Sequence, residues 1–325
     1  MAEEAPVYRV SSREVGRTLA AALRLWQPTL SWSRAKTLIE SGRILVNGAV
    51  CRDVARRVVP GDVVKVLPHA PKVAKPRPDI VIRHLDADIV VLEKPPGINA
   101  VRHPEEERLY EPTVAELLPR LIAEHEGRPA SGRLPAIRAV HRLDRDTSGL
   151  MVFARTLQAE RHLGLQFRKH TIHRVYLAIA QGRVEEHTIV SRLVRDRGDG
   201  RRGSTPLPNV GKLAITLVRP LEYLGEYTLV ECRLKTGRTH QIRIHLAEQG
   251  HPICGETVYN KPLHGPPIPD KSGAPRLALH AAELGFTHPT SDVWIEFRSE
   301  LPKDLRQFLE KLRRRAGKTD NTRPR

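Results

Sequence analysis

The segment His69-Ala70-Pro71-Lys72-Val73-Ala74-Lys75-Pro76-Arg77-Pro78 divides the chain. Each proline fixes φ and removes a backbone donor, so neither a helix interior nor a central strand can run through it. A basic, proline-rich stretch of this kind reads as a stiff, extended linker. The 325 residues are therefore expected to fold as a small piece over 8–68, a linker over 69–78 and a large piece over 79–313. The basic, polar residues 314–325 are expected to form a disordered tail.

Local signals organise the small piece. Ser11 and Glu14 have capping-box spacing, and Val15, Leu19, Ala22, Leu23 and Trp26 then recur at helical intervals before Pro28. A second helix is expected from about Ser33, with Ala35, Leu38 and Ile39 apolar and Gly42 at its end. Asn47-Gly48 between apolar runs predicts a tight hairpin, because both residues tolerate positive φ. Pro60-Gly61-Asp62 marks a further turn, with a strand over 63–67.

In the large piece, strands are expected over 80–82 and 88–92, followed by a sharp break at Lys94-Pro95-Pro96-Gly97. A polar insert (103–107), a helix (114–124) and a loop (126–135) come next. A buried strand over 150–154 precedes a helix capped by Thr156 and reaching about Lys169. Strands are expected over 173–179 and 227–234, with a mobile loop over 195–209 between them. Thr239 is expected to cap a helix with Ile242 and Leu246 on one face, stopped by Gly250. Strands over 279–286 and 293–297 and a helix over 305–312 complete the piece.

Charge narrows the partners. The chain has 54 Lys and Arg against 37 Asp and Glu, a formal net charge of +17. Such an excess, with arginine favoured, is the footprint of a nucleic-acid binder. No apolar run approaches the ~20 residues that span a bilayer, so no membrane partner is expected. The acidic start, Met1 to Pro6, lacks the features of a signal peptide. Cys51, Cys232 and Cys254 are odd in number and far apart, which suggests neither a disulfide framework nor a zinc site. A reducing cytoplasm is the simplest compartment.

The chemistry centres on His141-Arg142-Leu143-Asp144-Arg145-Asp146-Thr147-Ser148-Gly149-Leu150. Asp144 stands between two arginines, ahead of a Thr-Ser-Gly turn and an apolar strand. Burial alone would raise its pKa, while an arginine in contact lowers it by ~1–3 units. A carboxylate kept ionised in this way can act covalently at a sugar or ring carbon. Taken alone, Asp144 reads equally as a structural aspartate in a surface pair.

This stretch closely resembles the signature of the RluA-type pseudouridine synthases, and other segments extend the resemblance over about residues 79–300. They are Asp88-Ile89-Val90-Val91, Lys94-Pro95-Pro96-Gly97, Arg174-Val175-Tyr176-Leu177-Ala178 and Lys212-Leu213-Ala214-Ile215-Thr216. They continue in the run from Lys235 to His245, in Gly250-His251-Pro252-Ile253 and in Leu279-His280-Ala281. The small piece resembles an S4 RNA-binding domain, on Leu30 to Arg34, Leu38 to Gly48 and Pro60-Gly61-Asp62.

The resemblance implies an α+β protein: a pseudouridine synthase fold with a mixed, mainly antiparallel sheet, plus a small N-terminal α/β S4 domain. It implies isomerisation of uridine to pseudouridine in RNA without a cofactor or a metal. Asp144 would be the catalytic aspartate and Arg243 its salt-bridge partner. Tyr176 would stack on the target uracil and take part in removing the C5 proton. Arg145 would enter the RNA stack and help to hold a flipped nucleotide. Arg34, Lys36 and Arg43 would lie near an RNA-facing surface of the S4 unit. Arg142, Arg238 and His240 belong to the matched segments and join the candidate RNA contacts. Taken singly, Tyr176 reads as a core strand tyrosine and Arg243 as a surface helix arginine.

One departure stands out: Glu256 occupies a position where the family more often has Asp, and it is expected to leave the catalytic set untouched. S4-bearing members favour 23S ribosomal RNA as substrate, with tRNA as the alternative. RNA rather than DNA is the expected partner, and a monomer the default state.

Two rivals remain in view. Asp144 and Asp146 could serve a glycosidase if an extended strand put them on one face ~6.6 Å apart. Only 4% of residues are aromatic, however, which is poor for sugar platforms. The other rival is a non-catalytic S4-containing factor in ribosome assembly.

Overall fold

The computed structural model describes residues 6–51, 53–68, 79–102, 112–129 and 134–320. The chain divides between residues 77 and 78 into two units. The expected linker at 69–78 and the insert at 103–107 lie outside the described residues.

In the first unit, Asn47 and Gly48 take φ of 52° and 82° and close the hairpin between β2 (Ile44–Val46) and β3 (Ala49–Cys51). The sheet is antiparallel, in the order β1-β4-β2-β3, with β1 at Val7–Arg9 and β4 at Val63–Val66. Helix α2 (Trp32–Glu40) has Ser31 as its cap and buries Ala35, Leu38 and Ile39. The first helix departs from expectation. The Ser11 N–H and hydroxyl do donate to Glu14 Oε2, at 2.8 and 2.6 Å. That contact closes a turn rather than a helix, because Gly16 takes φ of 79° and its N–H bonds the Val58 carbonyl. Helix α1 (Leu19–Trp26) starts later, capped by Thr18, and Val15 is left exposed.

The second unit is built on an eleven-stranded sheet. Its elements are β5 (Val81–Leu85), β6 (Ile89–Lys94), α3 (Val114–His125), β7 (Arg138–Ala139), β8 (Ser148–Ala154) and α4 (Leu157–Lys169). They continue as β9 (His173–Gln181), β10 (His187–Val194), β11 (Gly203–Ser204), β12 (Lys212–Tyr223), β13 (Tyr227–Leu234) and α5 (Gln241–Glu248). The last are β14 (Leu279–Thr287), β15 (Trp294–Arg298) and α6 (Lys303–Asp320). The main path runs β11-β10-β12-β13-β9-β14-β8-β6-β5, with β15 on β14 and β7 on β8. Among the described residues β8–β14 is the parallel pair and the other pairings are antiparallel. The sheet is thus mixed and mainly antiparallel.

Both faces of β8 are covered, which explains its unbroken burial. Met151 and Phe153 join a core with α3, α5 and α6, while Leu150, Val152 and Ala154 join another with α4. Burying both alternating sets turns a strand into a continuous apolar run.

Several expectations are corrected. β10 and β12 were not read as full strands: β12 bulges at Pro220/Glu222, and β10 follows no clean alternation. The expected mobile loop over 195–209 contains β11, and Ser204 is tied through its N–H and hydroxyl to Glu248. Helix α5 is capped by His240 in the left-handed region (φ 59°), not by Thr239, and all eight of its residues are buried. Helix α6 continues to Asp320, through most of the expected tail. Past its last buried leucine, Leu312, it is tied by Arg313 to Glu222 and by Arg315 to the Ser272 carbonyl.

Candidate active site

Asp144 sits on a turn between β7 and β8, closed by the Thr147 N–H bonding the Asp144 carbonyl at 3.2 Å. The turn is pinned from below by Lys94, the last residue of β6. Lys94 is 1% exposed, and its ammonium donates to the carbonyls of Pro95, Ile98 and Arg145 at 2.8, 3.0 and 2.9 Å. Burial pushes its pKa down to about 7, against the pull of Asp146 and Asp144. The Gly97 N–H also bonds the Arg145 carbonyl at 2.8 Å. The break at Lys94-Pro95-Pro96-Gly97 is therefore the clamp on the Asp144 turn.

Beyond the turn, Gly149 has φ of 116°, and a Cβ there would lie 2.2 Å from the Ala281 carbonyl oxygen. Only glycine lets β8 approach β14 so closely at the base of the Asp144 turn. Tyr176 lies on β9, in register with Ala281 of β14 and Cys232 of β13. The strand order β9-β14-β8 thus leaves one strand, β14, between the tyrosine's strand and the strand that carries the aspartate turn.

Two basic side chains approach the Asp144 carboxylate, which is 16% exposed. Arg243 Nη1 is 3.6 Å from Oδ2, and His240 Nε2 is 3.7 Å from Oδ1. Arg243 is held elsewhere. Its Nε and Nη2 donate to the Glu256 carboxylate at 2.7 and 2.8 Å. The expectation that Glu256 leaves the catalytic set untouched is corrected: this fork fixes the guanidinium plane and leaves Nη1 for Asp144. Burial works against the charges of both groups, but their mutual hydrogen bonds outweigh it, so Arg243 is raised and Glu256 lowered. The Glu256 carboxylate also accepts from the N–H groups of Val258 and Tyr259 at 2.8 and 3.2 Å. Tyr259 in turn lies 5.1 Å from the Arg243 guanidinium and shares a 2.6 Å hydrogen bond with His240 Nδ1. Burial holds His240 below its ordinary pKa, against the pull of Asp144.

Asp144, Arg243 and His240 line a cleft of about 560 Å³. Of the expected residues, Asp144, Tyr176, Arg243, Arg142, Arg238 and His240 all line it. Arg145 is exposed on the same turn, with its Nε donating to the Gly97 carbonyl at 3.3 Å. Arg34, Lys36 and Arg43 belong to the first unit. The first two are exposed on α2, and Arg43 Nε is tied to the Leu67 carbonyl at 2.9 Å. Tyr176 is buried, which pushes its phenol up to about 12.

The paired-carboxylate geometry of a glycosidase is not assembled. Residues 144–147 form a turn rather than an extended strand, and Asp146 is exposed outside the cleft lining. Sequence reading also missed Lys94, Arg174 and Tyr259. All three lie inside motifs already quoted or adjoining them, but burial of a cation cannot be read from residue type.

Comparison with known proteins gives the chain's relatives. Residues 88–248 match the model for "RNA pseudouridylate synthase", and residues 30–64 match the S4 domain. The chain is 36% identical to "Ribosomal large subunit pseudouridine synthase D" of Neisseria meningitidis serogroup A, over 93% of this chain and 80% of that protein. The protein of the same name from Escherichia coli K12 is 33% identical, over 94% of this chain and 93% of its own length. "Uncharacterized RNA pseudouridine synthase YlyB" of Bacillus subtilis is 35% identical, over 87% of this chain and 90% of its own. Among solved structures, "Human RNA Pseudouridylate Synthase Domain Containing 4" superposes with a TM-score of 0.56 at 23% identity. That superposition covers 72% of this chain and 93% of the human one, and speaks for the fold.

Proposed function

The chain belongs to the RNA pseudouridylate synthase family, and we propose that it isomerises a uridine of 23S ribosomal RNA through Asp144. The observation that carries this reading is the Asp144 carboxylate, 84% buried in a cationic cleft and approached by Arg243, which is itself fixed by Glu256. The relatives named for the large ribosomal subunit support that substrate over tRNA.

The reaction breaks the C1′–N1 bond, turns the base and joins C1′ to C5, with N1 gaining and C5 losing a proton. Asp144 serves it by attack at C1′, by attack at C6 or by taking the C2′ proton; all three use one ionised carboxylate. Arg243 Nη1 stabilises that charge. Tyr176, whose phenol is pushed up to about 12 by burial, packs against the base and takes part in removing the C5 proton. Lifting a base out of the RNA stack costs a few kcal/mol, and exposed Arg145 beside Asp144 is suited to fill the gap. Arg142, Arg238 and His240 hold RNA at the cleft, and Arg34, Lys36 and Arg43 hold it at the S4 unit.

The S4 match supports RNA as the partner. Among the described residues no helix is long and apolar enough to cross a membrane. The three cysteines are free and buried, which suits a reducing cytoplasm. A monomer is the working state.

The test is pseudouridine mapping of rRNA and tRNA in cells lacking the protein, complemented with wild type or Asp144→Asn. The expected result is one or a few 23S positions lost and restored by wild type alone. Loss confined to tRNA would move the substrate, and no loss anywhere would favour an assembly factor without catalysis.

A further inference from the structure

Arg174 is a buried cation for which the aspartate chemistry has no use. It stands two residues before Tyr176 on the same side of β9 and lines the same cleft. It is 9% exposed, and its Nε and Nη2 have no hydrogen-bond partner. The guanidinium lies 5.7 Å over the Phe167 ring. Its Nη1 fills space that a side chain at 237 would need, 2.5 Å from the Cβ position of Gly237. Leaving charged donors unpaired in the interior is costly, so a fold that keeps room for them is built for an acceptor that arrives.

The acceptor's chemistry follows from which buried donors are unpaired. Nε–H and Nη2–H form one edge of the guanidinium, with two parallel bonds that match two oxygens on a single centre. The two carbonyls of uracil are separated by N3 and cannot both meet that edge. The surroundings are cationic: Arg142, Arg168, Arg174, Arg238 and Arg243 line the cleft, against the single carboxylate of Asp144. Arg243 is already neutralised by Glu256. The pKa of His170 is lowered by burial and by the charges of Arg174 and Arg238.

We propose that Arg174 binds a backbone phosphate of the RNA, through Nε and Nη2, on the strand that carries the target uridine into the cleft. Arg168 and Arg238 add charge around that phosphate. Arg174 is thus a positioning residue: it fixes the backbone so that the extruded base meets Tyr176 and Asp144. The proposal rests on the RNA-isomerase reading given above.

The experiment uses the full chain, a large-subunit rRNA transcript, and the variants Arg174→Met and Arg174→Lys. Affinity is measured against salt, with thermal melting of the RNA-free protein and pseudouridine yield in parallel. Methionine keeps the apolar stem but has no charge to bury. The expected result for Arg174→Met is a higher melting temperature without RNA and about tenfold weaker binding. The slope of log affinity on log salt should fall in magnitude by about one. Arg174→Lys should keep the slope and bind less tightly than wild type, because it keeps a charge but loses the fork.

A lower melting temperature with unchanged affinity would make Arg174 a packing residue and overturn the proposal, as would a methionine variant that fails to fold. Lower yield with an unchanged salt slope would point to a contact with the base and would also overturn it. Absence of pseudouridine in the wild-type reaction, with the slope difference intact, would instead remove the isomerase reading and leave the phosphate site standing.

Discussion

The two units treat charge in opposite ways. In the first, the buried charged side chains among the described residues are Glu14 and Asp62, and hydrogen bonds from neighbouring backbone and side chains hold both below their ordinary pKa against burial. Its cations Arg34 and Lys36 stay in solvent. In the second, Lys94, Arg174, Arg243 and Glu256 are all at least nine-tenths buried. A surface that grips a polyanion needs only exposed charge, whereas a site that must hold one carboxylate ionised and one base extruded needs charge in the interior. The second unit carries the desolvation cost because the chemistry is there.

The sharpest way to test this division is Asp144→Asn. It should lower the rate of pseudouridine formation by at least ~10³-fold while RNA affinity stays within about twofold. Equal losses of rate and affinity would break the division, because binding and chemistry would then share one residue.

Acid should separate the units next. Burial pushes His141, His245 and His280 of the second unit down to about 3, 4 and 4 from 6.5. The unfolded chain takes up these protons first, so their contribution is complete above about pH 6.5 and is lost as pH falls towards 4. Three such histidines give a slope of at most roughly 4 kcal/mol per pH unit. The buried carboxylates of the first unit are lowered instead, so their contribution is lost only below about their ordinary values of 4.5 and 3.8. Hydrogen exchange read by peptide between pH 7.5 and 5 should show protection falling in β8, β9 and β14 but not in α1 or β2. Parallel loss in both units would refute the contrast.

A smaller effect is expected at Glu256. Glu256→Gln should lower the rate about 10–100-fold at nearly unchanged RNA affinity, because Arg243 loses the fork that aims Nη1 at Asp144. An unchanged rate in single-turnover kinetics would show that Asp144 orients Arg243 unaided. Within the first unit, Asn47→Ala should cost about 1–2 kcal/mol. It removes the 2.7 Å bond to Asp62 and the acceptor for the Val63 N–H, at a residue held at positive φ. Denaturant unfolding followed at Trp26 and Trp32 should report it, with pseudouridine formation by the folded protein unchanged.

The same contrast governs what the sequence made legible. Asn47-Gly48 and the Thr156 cap of α4 act over a few residues, and each falls where its local chemistry puts it. Where a local signal met a distant partner, the partner prevailed: the Ser11–Glu14 contact gave only a turn once Gly16 bonded Val58. The segment holding Asp144 was legible because its motif is contiguous. The role of Glu256 was not, because the fork to Arg243 spans thirteen residues and a turn and depends on both groups being buried. Nothing in their residue type marks Arg174 and Lys94 as buried, for the same reason. Strand order was hidden too, since β14 is inserted between β8 and β9 from more than 90 residues further along the chain.

That insertion has a consequence for the life of the molecule during its synthesis. β8 and β9 can be neighbours of β14 only after residues 279–287 have left the ribosome, so the aspartate turn and Tyr176 have no common frame until then. The first unit is complete about 200 residues earlier, a lead on the order of tens of seconds at ~5–20 residues per second. For that interval the growing chain carries a finished S4 unit and no assembled site: an RNA-binding module first, and an isomerase only once β14 has emerged.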